Sequence, residues 1–164
     1  MQMVQRTLTP LLFLAASLGF VGFVGSSSAS ASPSYADRVE SSVVTSTNHE
    51  RVQRDRRAVR GNACLHRMAQ SWARHLAQTN AMYHRRLGRV LDTCNRSYVS
   101  ENLCKYPVSS AMTAAQIAQS TVNAWMRSTE HRHNLLSTRP RVVGVGMARS
   151  ANGNYWLIVQ NFAR

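Results

Sequence analysis

The chain has 164 residues, with 20 lysines and arginines against seven aspartates and glutamates, so its formal net charge is +13. Removal of an N-terminal export segment would leave about 130 residues, enough for one domain that buries roughly two thirds of its unfolded surface. This length excludes a multidomain machine, and the charge favours attraction to polyanions.

The charge alone does not identify the polyanion. Nucleic acid, acidic wall polymers and anionic lipid surfaces all fit, and a bias toward arginine that serves solubility would give the same composition. The basic face at residues 51–60 has no aromatic residues between its arginines, which single-strand binders use for stacking. We therefore expect acidic cell-envelope polymers, lipid or protein as partners, and not nucleic acid.

The N-terminal segment predicts export. Arg6 precedes an apolar run at residues 8–24, and small residues follow at 26–34. A basic start, an apolar stretch and a small-residue exit are typical of a secretory signal peptide. The alternative, an uncleaved anchor helix, is disfavoured by Pro10 and the glycines of the run.

These features predict a signal peptide at residues 1–31, a disordered lead-in at 32–38 and one domain at 39–164, with cleavage after Ala31 or after Ala36. The protein is then secreted, and we expect a monomer. An oxidising compartment favours disulfides. With Cys64, Cys94 and Cys104 the chain has one pair and one spare thiol, and the spacing leaves the pairing open.

The helical pattern begins at Val39 and breaks at Gly61-Asn62. A clearer amphipathic helix follows from Leu65, with apolar residues at three- and four-residue steps, and we expect it to end near Met82 or Tyr83. Residues 84–112 lack this period and predict a long loop with one short strand at 98–103. Loops of this length in compact domains are usually functional or crosslinked.

The C-terminal half predicts a third helix and a hairpin. Residues 113–116 form a capping box that starts the helix, and residues 128–137 predict a turn and a short helix. A strand at 142–148, an Asn152-Gly153 turn and a return strand at 154–162 complete the chain. The elements define an α+β fold, most simply an antiparallel sheet covered by helices.

One set of side chains could carry chemistry: His84, Glu101 and His131, which lie on three separate elements. Two imidazoles and a carboxylate suit zinc with a position open to water, or acid–base work without metal. Standard hydrolase motifs such as Gly-x-Ser-x-Gly and His-Glu-x-x-His are missing from the sequence. Spacing alone does not bring these three residues together.

Several segments, in order, resemble the CAP superfamily (the SCP domain of cysteine-rich secretory, antigen 5 and pathogenesis-related proteins), most closely its secreted bacterial branch. Ser100-Glu101-Asn102-Leu103 is similar to the Gly-Glu-Asn-(Ile/Leu) segment that bears the family's cavity glutamate. His131 lies in a segment that resembles Trp-Met-x-Ser-Pro-Gly-His-Arg-x-Asn-Ile-Leu, which bears its second cavity histidine. The matching segments are 47–51, 64–73, 82–87, 100–103, 125–136, 143–146 and 155–162.

The resemblance implies a three-layer α-β-α sandwich with a central antiparallel sheet. It further implies that His84, Glu101 and His131 line one cavity, in which the two histidines coordinate Zn²⁺ or another divalent cation in several members. It also implies a disulfide between Cys64 and Cys94.

Three departures from the family pattern affect this cavity. Ser100 replaces a glycine, so the backbone before Glu101 could differ. Ser128 stands where animal and plant members carry a second cavity glutamate, which lowers the negative charge near a cation. Glu130, in a Thr-Glu pair that replaces Pro-Gly, could restore a carboxylate there.

The resemblance does not imply one activity. We favour a secreted binding module, with the cavity holding a divalent metal or small ligand and the basic surface engaging acidic envelope polymers. The alternatives are a metal-dependent, protease-like hydrolase that uses His84, His131 and Glu101, and a lipid or sterol binder. Enzymatic activity is left open and is the less favoured interpretation.

Overall fold

The computed structural model describes residues 32–109 and 111–164; the predicted signal peptide lies outside the described residues. Within the described part, the chain forms five helices and four strands. The helices are α1 (Tyr35–Val52), α2 (Ala63–Thr79), α3 (Gly88–Cys94), α4 (Ala114–Arg127) and α5 (Thr129–Leu136). The strands are β1 (Arg60–Gly61), β2 (Val99–Pro107), β3 (Val142–Arg149) and β4 (Tyr155–Ala163). In these described ranges no helix has the length and apolar character to cross a membrane.

The sheet has the strand order β1-β3-β4-β2. Strand β4 pairs antiparallel with β3, as the predicted hairpin requires, and also antiparallel with β2. The two-residue strand β1 adds to β3 in parallel, so the sheet is mixed and not wholly antiparallel. Helices α1, α4 and α5 pack on one face, and α2 and α3 on the other, which confirms the three-layer α-β-α sandwich.

Strand β4 shows why both faces of the sheet are covered. Ile158 and Phe162 lie in the core cluster with α1 and α4, whereas Leu157 and Val159 lie in the cluster with α2. Side chains alternate between the two faces of a strand. A strand whose odd- and even-numbered positions are both apolar therefore needs a layer of helices on each face. The same alternation sends Glu101 and Asn102 of β2 to opposite faces.

Two glycines of β3 allow α2 to lie directly against the sheet. A Cβ at Gly144 would collide with the backbone of Leu65 and His66, and a Cβ at Gly146 with the backbone of Ala69 and Gln70. The glycines predicted as part of a strand are therefore required by the close approach of a helix. This contact fixes the height of α2, and with it the start of the segment that carries His84.

Helix α1 begins at Tyr35, earlier than the predicted start at Val39. Ser34 caps it: its side chain accepts from the Asp37 backbone N–H, and the Asp37 carboxylate accepts from the Ser34 N–H. The reciprocal bonds satisfy two N–H groups that a helix start leaves open. The predicted disordered lead-in at 32–38 is therefore helical from Tyr35 onward.

The predicted long loop is the main local error. Helix α2 ends at Thr79, because Asn80 adopts a left-handed conformation with φ of 49°, and the chain turns before Met82. Seven residues inside the predicted loop form α3, and the predicted strand is longer, as β2. The predicted capping box at Thr113 and Gln116 is confirmed at the start of α4.

The disulfide between Cys64 and Cys94 is confirmed. Cys64 lies in the first turn of α2, and Cys94 is the last residue of α3. The bond ties α3 to the helix that packs on the sheet, so it restrains the segment at residues 80–95. Cys104 on β2 is the free thiol.

Candidate functional site

The site is centred on a contact between His84 and Glu101. His84 follows the turn after α2, and Glu101 lies on β2 with its side chain fully buried. His84 Nδ1 is 3.0 Å from Glu101 Oε1, and the imidazole is 55% exposed. A buried carboxylate thus holds one ring nitrogen of an accessible histidine and leaves the other, Nε2, for a ligand.

Glu101 is surrounded by polar partners. Arg85, whose side chain is 9% exposed, places Nε 3.3 Å from Glu101 Oε2. Asn161 bridges the pair when its amide is oriented so that each atom meets a complementary partner: the nitrogen then donates to Glu101 Oε2 at 3.2 Å, and the oxygen accepts from Arg85 Nη2 at 2.7 Å. Burial raises the pKa of Glu101, while the hydrogen bond from His84 and the charge of Arg85 oppose that rise. The carboxylate is therefore a fixed, internally paired group.

A buried amide network attaches α5 to the sheet. Asn134 on α5 donates to the Glu101 carbonyl at 3.2 Å and to Asn102 Oδ1 at 3.0 Å. Asn102 donates to Gln160 Oε1, and Gln160 donates to Thr47 on α1. Buried polar groups are stable when each finds a partner. The network sets the position of α5, and so of His131, against strand β2.

His131 lies on α5, and β2 is the edge strand beside it. Burial lowers the pKa of His131, and the nearby imidazole of His84 lowers it further. The two histidines are therefore within electrostatic range of one another. A neutral imidazole is the form that binds a metal or accepts a hydrogen bond.

Ser128 and Glu130, the two remaining predicted cavity residues, lie at the junction between α4 and α5. Ser128 is the extended residue between α4 and α5, and its side chain makes no capping hydrogen bond. Glu130 is exposed in the first turn of α5, and its charge acts to raise the pKa of His131. Glu130 is thus near the imidazole, but outside the buried contacts of Glu101.

A groove of about 970 Å³ lies along α2 and the segment at residues 83–92. Of the five predicted cavity residues, all within the described part of the chain, His84 is the one that lines it. Its wall holds an aromatic group, with the ring of Trp72 stacked on His75 at 4.7 Å and edge-on to Tyr83 at 5.3 Å. The Tyr83 hydroxyl lies 2.6 Å from His75 Nε2. His75 of α2 is therefore part of this wall.

The donor set limits what metal chemistry the site offers. In residues 32–109 and 111–164 no group of three or more His, Cys, Asp or Glu side chains is arranged to hold a metal ion. His84 offers one imidazole, which Glu101 orients, and His131 would be the second ligand. Catalytic zinc sites usually have three protein ligands and one open position. Two imidazoles would leave more positions to water or to a bound molecule.

Sequence reasoning missed several residues that build the site. Arg85, Asn102, Asn134, Gln160 and Asn161 act by pairing across elements. All five lie inside segments that resemble the family, but only Asn102 and Asn134 match residues of the two motifs quoted for it. Asn161 is opposite Glu101 in the β2–β4 register.

Cys104 is an unsuitable nucleophile. Burial raises the pKa of its thiol to about 11, so the thiolate is scarce at neutral pH. The free thiol packs against the core cluster of α1 and α4. Cys104 is therefore a core-packing residue.

Comparison with known proteins agrees with this architecture. The profile described as "CAP: Cysteine-rich secretory protein family" matches residues 44–162. The chain therefore belongs to the CAP family of cysteine-rich secretory proteins, and the resemblance seen in the sequence is confirmed. A comparison with curated proteins finds no match.

Solved structures share the fold at low identity. An outer surface protein of Borrelia burgdorferi is 16% identical, with a TM-score of 0.62 over 77% of this chain and 92% of that protein. An extracellular SCP-domain protein of Bacillus anthracis is 20% identical, with a TM-score of 0.61 over 79% of this chain and 41% of that protein. NaASP2, whose crystal structure contains Zn²⁺, is 12% identical, with a TM-score of 0.61 over 78% of this chain and 80% of that protein.

Proposed function

We propose that the protein is an exported CAP-domain binding module. Under this proposal His84, Glu101 and His131 line one recess that receives a divalent cation or a small ligand, and the basic surface engages acidic envelope polymers. The observation that carries the proposal is the 3.0 Å contact between His84 and the buried Glu101, which leaves an accessible imidazole held in one orientation. Fixed ligands bind with less loss of side-chain entropy than mobile ones.

The surroundings of Glu101 favour binding over hydrolysis. A general base must reach the proton that it removes, directly or through one water. The Glu101 side chain is fully buried and engaged by His84, Arg85 and Asn161. Its role in this arrangement is to orient His84. A bound cation would supply Lewis acidity to a ligand at the recess, while the chain's own residues hold and orient it.

Two lines of context support export and an envelope location. The B. anthracis structure is described as extracellular and the B. burgdorferi structure as an outer surface protein. The predicted signal peptide and the net charge of +13 suit a protein that meets anionic polymers outside the cell.

Zinc binding by purified protein tests the recess. Titration with Zn²⁺ alone should show one site whose affinity falls at least tenfold in the His84→Ala/His131→Ala double variant. His49→Ala is the matched control, because His49 is an exposed histidine on α1, and it should leave affinity unchanged. Equal zinc affinity in the double variant and the wild type would remove the metal part of the proposal.

Salt-sensitive adsorption to isolated cell envelopes tests the surface. Adsorption should fall steeply between about 50 and 500 mM NaCl, because the Debye length shortens from roughly 14 Å to about 4 Å. Binding that does not change with salt would contradict an electrostatic footprint.

The groove favours one second candidate, an apolar or lipid ligand. Met68, Trp72 and Tyr83 line it, and Tyr83 is 47% exposed. Solvent extraction of the purified protein followed by mass spectrometry tests this candidate. A stoichiometric lipid or sterol that is lost in Tyr83→Ala would support it, and an empty extract from a lipid-rich host would count against it.

A further inference from the structure

A cluster of cationic side chains surrounds the C-terminal end of α5, away from His84. Arg51 donates to the Leu135 and Ser137 carbonyls, Arg56 to the Leu136 carbonyl, and Arg141 to the Thr138 carbonyl. Helix C-termini carry partial negative charge, so one guanidinium there is ordinary. Three guanidiniums on four successive residues exceed what the carbonyls of one eight-residue helix offset.

The surroundings of Arg51 show that no carboxylate offsets the positive charge on its guanidinium. Its side chain is fully buried, and Nη2 has no hydrogen-bond partner in the part of the chain that the structure describes. Burial lowers its pKa, and the nearby Arg141 and Arg56 lower it further, with no carboxylate acting in the other direction. A buried cation without a counter-ion adds an uncompensated positive field to its surroundings.

A pocket of about 400 Å³ opens beside this cluster. One face of α5 lines it with Thr129, Arg132, His133 and Leu136, and Arg56, Ser137 and Thr138 complete the wall. The lining holds two arginines, one histidine and three hydroxyl residues, and no aspartate or glutamate. We call it the α5 pocket.

The donors of the α5 pocket suit a tetrahedral oxyanion. Arg56 uses Nε for the Leu136 carbonyl, which leaves the outer edge of its guanidinium to face a ligand. Arg132 is exposed and uses Nη1 for the Met126 carbonyl. Guanidinium groups bind phosphate through paired N–H donors, and hydroxyls satisfy the remaining oxygens. A phosphate has more acceptor positions than a carboxylate, and this set offers donors from several directions.

We propose that the α5 pocket binds phosphate groups, and that these belong to the acidic envelope polymer that the protein engages. The second half of this inference rests on the proposed function, whereas the first half stands on the pocket alone. The ligand chemistry is a phosphate monoester or diester carried on a flexible chain, whose neighbouring charges the surrounding arginines attract.

Phosphate titration monitored by NMR tests the pocket. With inorganic phosphate as the probe, at constant ionic strength, backbone amides of residues 129–138 should shift together and saturate. Arg56→Gln/Arg132→Gln should weaken phosphate binding about tenfold or more. Arg67→Gln/Arg74→Gln removes the same charge from the exposed face of α2 and should leave the affinity within about twofold of the wild type.

Two further double variants test whether weaker binding reflects lost contacts to phosphate, and not a disturbed pocket or the lost charge alone. Arg56→Gln removes the hydrogen bond to the Leu136 carbonyl and could loosen the pocket. Arg132→Gln/His133→Gln keeps that bond, and this variant should still bind phosphate severalfold more weakly than the wild type. Arg56→Lys/Arg132→Lys keeps the charge but removes the forked donors, and it should bind phosphate more weakly than the wild type. Equal losses of phosphate affinity in the α2 and α5 double variants would contradict phosphate binding in the α5 pocket. Wild-type affinity in the lysine variant would contradict it as well.

A polymer comparison separates this inference from the proposed function. Polyphosphate should bind more tightly than polyglutamate of equal charge, and Arg56→Gln/Arg132→Gln should remove that preference. Adsorption to isolated envelopes that persists unchanged in this variant would refute the polymer link and leave the proposed function intact. Envelope adsorption that is missing from the wild type, with phosphate still bound at the pocket, would refute the proposed function alone.

Discussion

Two buried glutamates lie beside histidines in this molecule, and their surroundings differ. Glu101 has a guanidinium, an amide and the imidazole of His84 around its carboxylate. Glu40, on α1, shares the Met147 N–H with Gln70 and has His66 Nδ1 no nearer than 3.5 Å, since that nitrogen lies 2.8 Å from the Val145 carbonyl. Each carboxylate lies against the sheet, but only Glu101 has a close permanent cation.

The contrast shows what burial of a carboxylate requires when it serves a site. Burial raises the pKa of both groups, but at Glu101 the hydrogen bond from His84 and the charge of Arg85 oppose the rise. At Glu40 the Met147 N–H and the charge of His66 oppose it less, and burial raises the pKa to about 7. The first carboxylate orients a neighbour, whereas the second responds to pH.

Removal of Arg85 should have the largest effect, because it leaves Glu101 buried without its cation. Arg85→Met should lower the free energy of unfolding by about 3 to 5 kcal/mol at pH 7, the usual effect of breaking a buried ion pair. Arg86→Met is the matched control, since Arg86 is exposed, and it should change stability by less than about 0.5 kcal/mol.

Chemical denaturation of the wild type, Arg85→Met and Arg86→Met measures the difference in their free energies of unfolding. Arg85→Met/Glu101→Gln should recover part of the loss, because the buried charge is then removed as well. Similar unfolding free energies for Arg85→Met and Arg86→Met would show that the pair contributes little.

Glu40→Gln should change how stability depends on pH. The pKa of Glu40 rises from 4.5 in the unfolded chain to about 7 in the fold, so the folded protein holds this proton more tightly. The stabilisation is complete below pH 4.5 and is lost as pH rises to about 7. The difference corresponds to about 3 kcal/mol. Glu40→Gln keeps an acceptor for Met147 and should lack this dependence.

Denaturation curves from pH 4 to 8 test this expectation. The groups that act on Glu40 are His66 and Arg74 of α2, Asp37 of α1 and the Met147 N–H of β3. Glu40→Gln should therefore gain stability relative to the wild type as pH rises from about 4.5 to 7, and stay level above it. A constant difference across this range would contradict the assigned role of burial.

Removal of the amide partners should have smaller and unequal effects. Asn161→Ala takes a hydrogen-bond partner from both Glu101 and Arg85 and should cost about 2 kcal/mol at pH 7. Gln70→Ala removes a competitor of Glu40 for the Met147 N–H, so part of its loss is offset, and about 1 kcal/mol is expected. A larger loss in Gln70→Ala, measured by the same denaturation, would reverse the comparison.

The long helices and the hairpin could be predicted from the sequence because their signals are local. Apolar spacing marks α2, the capping box marks α4, and Asn152-Gly153 marks the β3–β4 turn. Helix α3 has seven residues, too few for a period to show, and β1 is recognised only by its pairing with β3.

The site was only partly predictable for a related reason. The chemistry of their side chains made His84, Glu101 and His131 candidates, but only the family resemblance implied a shared cavity, because their spacing did not place them together. The pairing of Glu101 with Asn161 depends on the β2–β4 register, and that of Arg85 on the turn after α2. Such partners are far apart in the chain, and nothing local in the sequence marks them.

The tautomer of neutral His84 tests the central claim most directly. Glu101 should hold the proton on Nδ1 and leave Nε2 without one. Side-chain ¹⁵N chemical shifts, recorded at a pH where the imidazoles are neutral, distinguish the two forms, and exposed His49 provides the reference. The account predicts Nδ1–H for His84. A dominant Nε2–H form would contradict it, since the carboxylate would then not orient the ring for a ligand.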